Sequence, residues 1–309
     1  MIRLGAFVCT FRRTAILLET LHELLSQTRP PDHVLVLDNA ASAETEAAVR
    51  AFGDDRVAYH AMPENAGPAG AVALGLAHLR DAGYDWILWG DDDDPPRTRD
   101  TLERLVQLIE AENAPDLAGV AAVGARWDWR WGETRRLADE ELVGPCEVDV
   151  AGGGQHLVVR ATAVTDDHLP DPRLFFALDD FDFCLRLRAA GRRILVNGDL
   201  MAEYRRLSGR LGLSARPRPR GRRRRRDLWR RYYATRNYVH LMRQTFGRPD
   251  LARREAVKAV ARSLASWTHG PAYGWHFTRT QLAAVRDGFA GRLGRTVEPA
   301  GYASAETAP

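Results

Sequence analysis

The chain has 309 residues, 45% hydrophobic and 28% charged, with a formal net charge of +3, enough apolar material for one large domain or one domain with a helical appendage. Its three cysteines, Cys9, Cys146 and Cys184, are odd in number and far apart, which excludes a disulfide framework or metal knuckle and points to a reducing cytoplasm. No segment approaches the roughly 18 apolar residues of a spanning helix, so a soluble or peripheral protein is expected.

Residues 4–10, LGAFVCT, read as a buried strand. After Phe11-Arg12-Arg13, Ile16, Leu17, Thr20, Leu21, Leu24 and Leu25 recur at helical spacing. HVLVLD, residues 33–38, predicts a second strand closed by Asp38, and 42–52 a helix. RVAYHA at 56–61 predicts a third strand, and the turn-rich PENAGPAG leads into a helix over 71–82. A fourth strand at 85–89 ends in DDDD, with a helix over 98–112. Four strand-helix units in a row predict a parallel, doubly wound sheet whose ligand site lies at the carboxyl ends of the strands.

Further along the pattern weakens. A fifth strand is expected over 117–126, an amphipathic edge element around Trp127, Trp129 and Trp131, and strand, glycine turn, strand over 147–159. From Asp227 the aromatic and aliphatic spacing predicts two helices joined around Gly247-Arg248-Pro249. Residues beyond about 297 lack pattern and are expected to be disordered.

Four adjacent aspartates, Asp91, Asp92, Asp93 and Asp94, cannot all be buried and ionised, because like charges raise one another's pKa. Asp91 and Asp93, two apart, suit one hard Mg²⁺ or Mn²⁺ that keeps positions open for phosphate oxygens. A solvated acidic loop, with Asp92 or Asp94 capping the next helix, is the other reading. In FFALDDFDF, Asp179 and Asp180 sit among aromatics, where desolvation and mutual repulsion would raise one pKa toward a general base; an acidic helix N-terminus is the alternative. Asp38-Asn39-Ala40-Ala41-Ser42 and Glu64-Asn65-Ala66-Gly67 would pass for ordinary turns but for their order along the chain.

That order, VCTFRR, VLVLDNAAS, ENAGPAGA, WILWGDDDDPP, VAGGG and FFALDDFDFCLRLRAAG, resembles the successive motifs of glycosyltransferase family 2 over about residues 1–204. The resemblance implies a GT-A fold, a Rossmann-like, mostly parallel α/β sheet flanked by helices, and an inverting transfer from a nucleoside-diphosphate sugar to an acceptor hydroxyl. Carried over residue by residue, it places Thr10, Phe11, Arg12 and Arg13 under the donor nucleotide, Asp38 at its base, and Asn65 and Gly67 along the same pocket. Asp91 and Asp93 become metal and diphosphate residues, Asp92 a ribose neighbour and Asp94 an extra acid, with Pro96 fixing the register. Gly152, Gly153 and Gly154 would face acceptor and donor sugar, Gly153 being the nucleotide-sugar contact. Asp180 becomes the base and Asp179 its support. Many members carry a metal-ligating histidine where this chain has Tyr204, which leaves the metal to aspartates, diphosphate and water.

WRRYYATRN is similar to a helix of rhamnosyl- and galactofuranosyltransferase-like members, which implies dTDP-rhamnose or UDP-galactofuranose as donor. The acceptor stays open between a glycan, a lipid-linked glycan and a secondary metabolite.

Between Arg205 and Arg231 the only acid is Asp227. Such a run suits a leaving diphosphate, an anionic membrane surface, nonspecific nucleic acid, or solvent alone. A nucleic-acid-binding protein, with arginines and Trp229, Tyr232 and Tyr233 contacting phosphate and base, is one alternative function. A sugar nucleotidyltransferase is the other, disfavoured because VCTFRR lacks its glycine-rich phosphate loop. The expected organisation is a catalytic domain over 1–210, an arginine-rich loop over 211–226, a helical region over 227–296 and a tail over 297–309, in a cytoplasmic protein peripheral to the inner face of the membrane.

Overall fold

The computed structural model describes residues 2–152, 156–212 and 224–298. The described chain divides into two compact units.

The first unit takes its described residues from Met1–Ala66, Ala71–Pro170 and Asp180–Arg216. Its core is an eight-stranded sheet in the order β3-β2-β1-β4-β9-β5-β10-β8. The strands are β1 (Leu4–Thr10), β2 (His33–Asp38), β3 (Val57–Ala61), β4 (Trp86–Asp91), β5 (Leu117–Ala121), β8 (Pro145–Val148), β9 (Leu157–Arg160) and β10 (Arg193–Asn197). Helices α1 (Thr14–Leu25), α2 (Ala43–Ala51), α3 (Gly67–Asp81), α4 (Thr101–Glu112), α5 (Asp179–Ala189) and α6 (Gly198–Leu207) alternate with them.

The period of two along each strand sorts side chains to the two faces. Leu4, Ala6 and Val8 of β1, with Trp86 and Leu88 of β4, join Leu17, Leu21 and Leu105 in one core. Phe7, Ile87 and Trp89 join Leu76, Leu79 and Phe183 in the other. Strands buried on both faces read as continuous apolar runs, which is why β1, β2 and β4 were legible; β3, at the sheet edge, is only partly buried.

The sheet is mixed. β3, β2, β1 and β4 are parallel neighbours, but β9 lies antiparallel between β4 and β5, and β8 pairs antiparallel with β10 at the edge. The expected strand-turn-strand over 147–159 is therefore no hairpin: β5 and β10 stand between its two strands. The expected fifth strand stops at Ala121, and β6 (Arg126–Asp128) pairs with β7 (Glu133–Arg135) as a separate ribbon.

The second unit takes its described residues from Gly67–Gly70, Asp171–Asp179 and Pro217–Pro309. It contains α7 (Leu228–His240), continued by a wider turn over Leu241–Thr245, then α8 (Pro249–Ser266) and α9 (Pro271–Ala290). The two expected helices are present; α9 is an addition. Residues 213–223 of the arginine-rich loop, and 299–309 of the tail, lie outside the described residues. Among the described residues no helix is long and apolar enough to cross a membrane.

Candidate active site

Parallel register brings three strand ends together: Thr10 lies opposite Asp38, and Cys9 opposite Asp91. The carboxyl ends of β1, β2 and β4 thus form the switch-point crevice where α/β sheets bind ligands.

Asp38 is fully buried. Its carboxylate accepts from the backbone N–H groups of Ala40 (2.8 Å) and Ser42 (2.9 Å) and from the Tyr59 hydroxyl (3.0 Å). It therefore holds the turn that follows β2, in which Ala41 adopts φ 47°. Burial and the adjoining carboxylate push the Tyr59 phenol above its ordinary pKa.

The four aspartates, alike in sequence, divide by environment. Asp92 is 1% exposed: the Thr10 hydroxyl donates to it at 2.7 Å, an Arg13 guanidinium nitrogen lies 2.7 Å away, and its main-chain oxygen accepts from Thr20. The carboxylate expected near a ribose is occupied inside the protein. Asp93 is half-exposed and meets the other Arg13 nitrogen. Asp94 faces Arg97 at 3.7 Å.

Asp91 has no ion-pair partner within 4 Å among the described residues, and its pKa is pushed up to about 7 by burial, with the charges of Asp93, Asp180, Asp92 and Asp94 adding to it. Burial also raises Asp92 and Asp94. Arg13 offsets only part of this negative potential.

A hard divalent cation fits Asp91 and Asp93 chemically, since two oxygen donors leave positions for diphosphate oxygens and water. Among the described residues no three His, Cys, Asp or Glu side chains converge as a ready metal cage. Tyr204 is not free to act as a ligand: its hydroxyl accepts the backbone N–H of Arg97 (2.9 Å), shares a hydrogen bond with Thr101 (2.8 Å), and is buried. Tyr204 pins the segment that follows the acidic cluster.

Beside it lies His156, which the sequence reading missed. It is 2% exposed, rests edge-on against Tyr204 with ring centroids 5.8 Å apart, and borders the backbone of Asp94 and Pro95. Burial lowers its pKa to about 4, so it is neutral at pH 7. No local motif marks such a residue.

Asp179 and Asp180 open α5. The Asp180 carboxylate accepts from the Phe181 N–H at 2.7 Å and lies against the main chain of Gly152, where a Cβ would come within 2.3 Å of it. Only glycine allows that approach. Burial raises the Asp180 pKa, and its charge reaches Asp91, so the two acidic clusters share one site. Asp182 is buried in a salt bridge with Arg186 at 2.7 Å, which removes it as a base. Gly153 lies outside the described residues.

Of the remaining candidates, Phe11 is half-buried, Arg12 is exposed and stacks over Phe11 at 5.1 Å with φ 54°, and Asn65 is half-buried before α3. Gly67 has φ 70°, and a Cβ there would lie 2.0 Å from the Phe175 carbonyl oxygen, so close packing within the second unit requires it.

Residues 6–155 match the family model described as glycosyl transferase family 2. Over that stretch, just under half of its length, the chain is similar to that family. Galactofuranosyltransferase GlfT1 of Mycobacterium tuberculosis is 30% identical over 200 residues, covering 60% of this chain and 64% of that protein. The corresponding protein of Mycolicibacterium smegmatis is 28% identical over 201 residues, covering 60% of this chain and 65% of its own. The chain thus spans less than two thirds of the length of the curated relatives it matches.

Its fold is shared by GT-A structures. A mannosyltransferase from Pyrobaculum calidifontis, in complex with GDP-Man and Mn²⁺, aligns with TM-score 0.50 and 16% identity over 94% of this chain and 88% of that one. GalNAc-T7 with UDP, GalNAc and Mn²⁺ aligns with TM-score 0.52 and 13% identity over 64% and 42%. The expected GT-A class therefore stands, with a mixed, mostly parallel sheet.

In the second unit, the YYATRN segment turns inward. Arg236, fully buried, donates to the carbonyl oxygens of Leu174 (2.8 Å) and Gly294 (2.7 Å). Asn237 Nδ2 lies within 3.0 Å of the carbonyl oxygens of Leu174, Phe176 and Ala177. That stretch contains three non-glycine residues at positive φ, Phe175 (61°), Ala177 (69°) and Leu178 (67°), directly before Asp179. Such conformations persist only where surroundings hold them.

Proposed function

We propose that this chain is an inverting glycosyltransferase that moves a sugar from a nucleoside-diphosphate donor to an acceptor hydroxyl. The observation carrying the reading is the electrostatic contact between Asp180 and Asp91: a carboxyl group with a raised pKa stands beside a cluster suited to a metal diphosphate.

In this mechanism Asp180 removes the proton from the acceptor hydroxyl as that oxygen bonds to the anomeric carbon. The anomeric carbon's bond to the diphosphate oxygen breaks on the opposite face, and the nucleoside diphosphate leaves with the electron pair. Gly152, lacking a Cβ, admits the base's carboxylate against its main chain, and the Phe181 N–H fixes its orientation. Asp91 and Asp93 would hold Mg²⁺ or Mn²⁺, which when bound supplies positive charge at the departing diphosphate. Thr10 and Arg13 hold Asp92 and so set the backbone on which both metal residues sit.

UDP-galactofuranose is the donor we favour, supported by the name of the GlfT1 relatives together with the YYATRN segment; dTDP-rhamnose is the second choice. The acceptor is a glycan, free or lipid-linked, or a small metabolite, and the site of action is the inner face of a membrane.

The test is Asp180→Asn assayed with UDP- and dTDP-sugars plus Mn²⁺. Transfer should fall by at least about a hundredfold while the donor's thermal shift persists. Substantial surviving turnover would reject Asp180 as the base, and no shift with any nucleotide sugar would reject the donor class.

A further inference from the structure

The amphipathicity of α8 is inverted. Its buried positions are mostly small: Ala252, Ala259, Ser263 and Ser266, with Leu251 at the start. Its outward positions carry the bulk: Val257 is 69% exposed, Val260 46% and Leu264 70%, and Trp267 just past the helix is 44% exposed. At 3.6 residues per turn Val257 and Leu264 lie on the side opposite Ala259, so these side chains form one apolar face rather than scattered exceptions.

The charge on that face is predominantly positive. Arg253 and Lys258 are exposed along α8, whereas its two acids, Asp250 and Glu255, are paired with Arg248 and Arg262. From Ala256 to the end of α9 the only acid is Asp287, which is buried. The outward positions of α9 repeat the composition: Trp275 (58% exposed) and Leu282 (50% exposed) alternate with exposed Arg279 and Arg286. Trp267 is held in place, its indole N–H donating to Thr278 at 3.2 Å and its ring seated on the backbone of Gly274.

We propose that the outward face of α8, with Trp267 at its end, is a docking surface for an anionic phospholipid bilayer. Apolar side chains of this length enter the acyl boundary, arginine and lysine remain at the level of the phosphates, and tryptophan prefers the interface between them. The helix lies in the headgroup plane. Charge selects this occupant over a second copy of the chain: a self-complementary contact would oppose Arg253 and Lys258 to their own counterparts, and the one exposed acid of the helix, Asp250 in its first turn, is already paired with Arg248. The inference does not depend on the transferase reading.

The experiment is co-sedimentation of the full chain with phosphatidylcholine vesicles, with and without phosphatidylglycerol, while following tryptophan emission. The bound fraction should rise with phosphatidylglycerol, fall at high salt and bring a blue shift. Val257→Glu with Leu264→Glu should weaken binding at least about tenfold with an unchanged circular dichroism spectrum. Should that pair unfold the protein, Arg253→Gln with Lys258→Gln must still weaken binding to the anionic vesicles severalfold. No vesicle binding by the unsubstituted chain, binding indifferent to all four substitutions, or self-association that Leu264→Glu abolishes without vesicle binding would each overturn the proposal.

Discussion

The side-chain nitrogen of Asn237 lies 2.9 Å from the carbonyl oxygen of Ala177, three residues before Asp180. It also reaches the carbonyls of Leu174 and Phe176, so one amide gathers three acceptors of a stretch bent through positive φ. Asn237→Asp keeps the shape but aims a second acceptor at those carbonyls, whereas Asn237→Ala only deletes the donor. Asp should therefore be the worse substitution, costing about 2–3 kcal/mol against about 1–2 for Ala. Because the stretch leads into α5, kcat should fall for both while the donor KM changes little. Equal loss in KM and kcat, or Asp milder than Ala, would contradict this positioning role.

Asp92 and Asp93 offer an internal comparison. Asp92 is buried on Thr10 and Arg13, while Asp93 is half-exposed. Asp92→Asn should lower stability by about 1–3 kcal/mol, since it weakens a buried charge-assisted pair. Asp93→Asn should leave the melting temperature nearly unchanged and instead reduce the thermal shift given by donor with Mn²⁺. The reverse pattern would show that Asp92 is the ligand-facing member.

These distinctions were invisible in DDDD, because four identical letters carry no burial. Strands β1, β2 and β4 were legible, since a strand buried on both faces announces itself as an apolar run. Partners are not encoded locally: β8 and β9 flank a glycine-rich stretch of sequence, yet β8 found β10, and β9 inserted beside β4. Helix α9 escaped notice because its buried stripe, Tyr273, Gly274, Phe277, Gln281, Ala284 and Gly288, mixes polar and small residues, while Trp275 and Leu282 point outward. That Asp182 is taken up by Arg186, and so differs from Asp180 two residues before it, is likewise written nowhere in the local sequence.

His156 sets a pH limit on the fold. Its pKa lies near 4 in the folded chain, because burial disfavours the cation, against 6.5 as the ordinary value. Between those values the unfolded chain binds a proton that the folded chain refuses. The stabilisation is therefore complete above about pH 6.5 and is lost as pH falls toward 4, amounting to about 3 kcal/mol at the acid end. His156→Asn, which tolerates the φ of 53°, should melt at a temperature less dependent on pH across this window. Melting curves for both proteins from pH 4 to 7.5 measure the difference, and parallel curves would show that His156 does not titrate in unfolding.

Tyr204 and the metal should prove separable. The tyrosine hydroxyl satisfies the Arg97 N–H and meets Thr101, so Tyr204→Phe strands a donor and should cost about 1–3 kcal/mol. If the cation rests on Asp91 and Asp93, chelation should abolish transfer by the unsubstituted chain and by Tyr204→Phe alike, and the Mn²⁺ concentration restoring half of each activity should agree within about twofold. Asp91→Asn should raise that concentration by at least about tenfold, since it removes one of two carboxylate donors. A metal requirement shifted by Tyr204→Phe and untouched by Asp91→Asn would place the cation at the tyrosine instead.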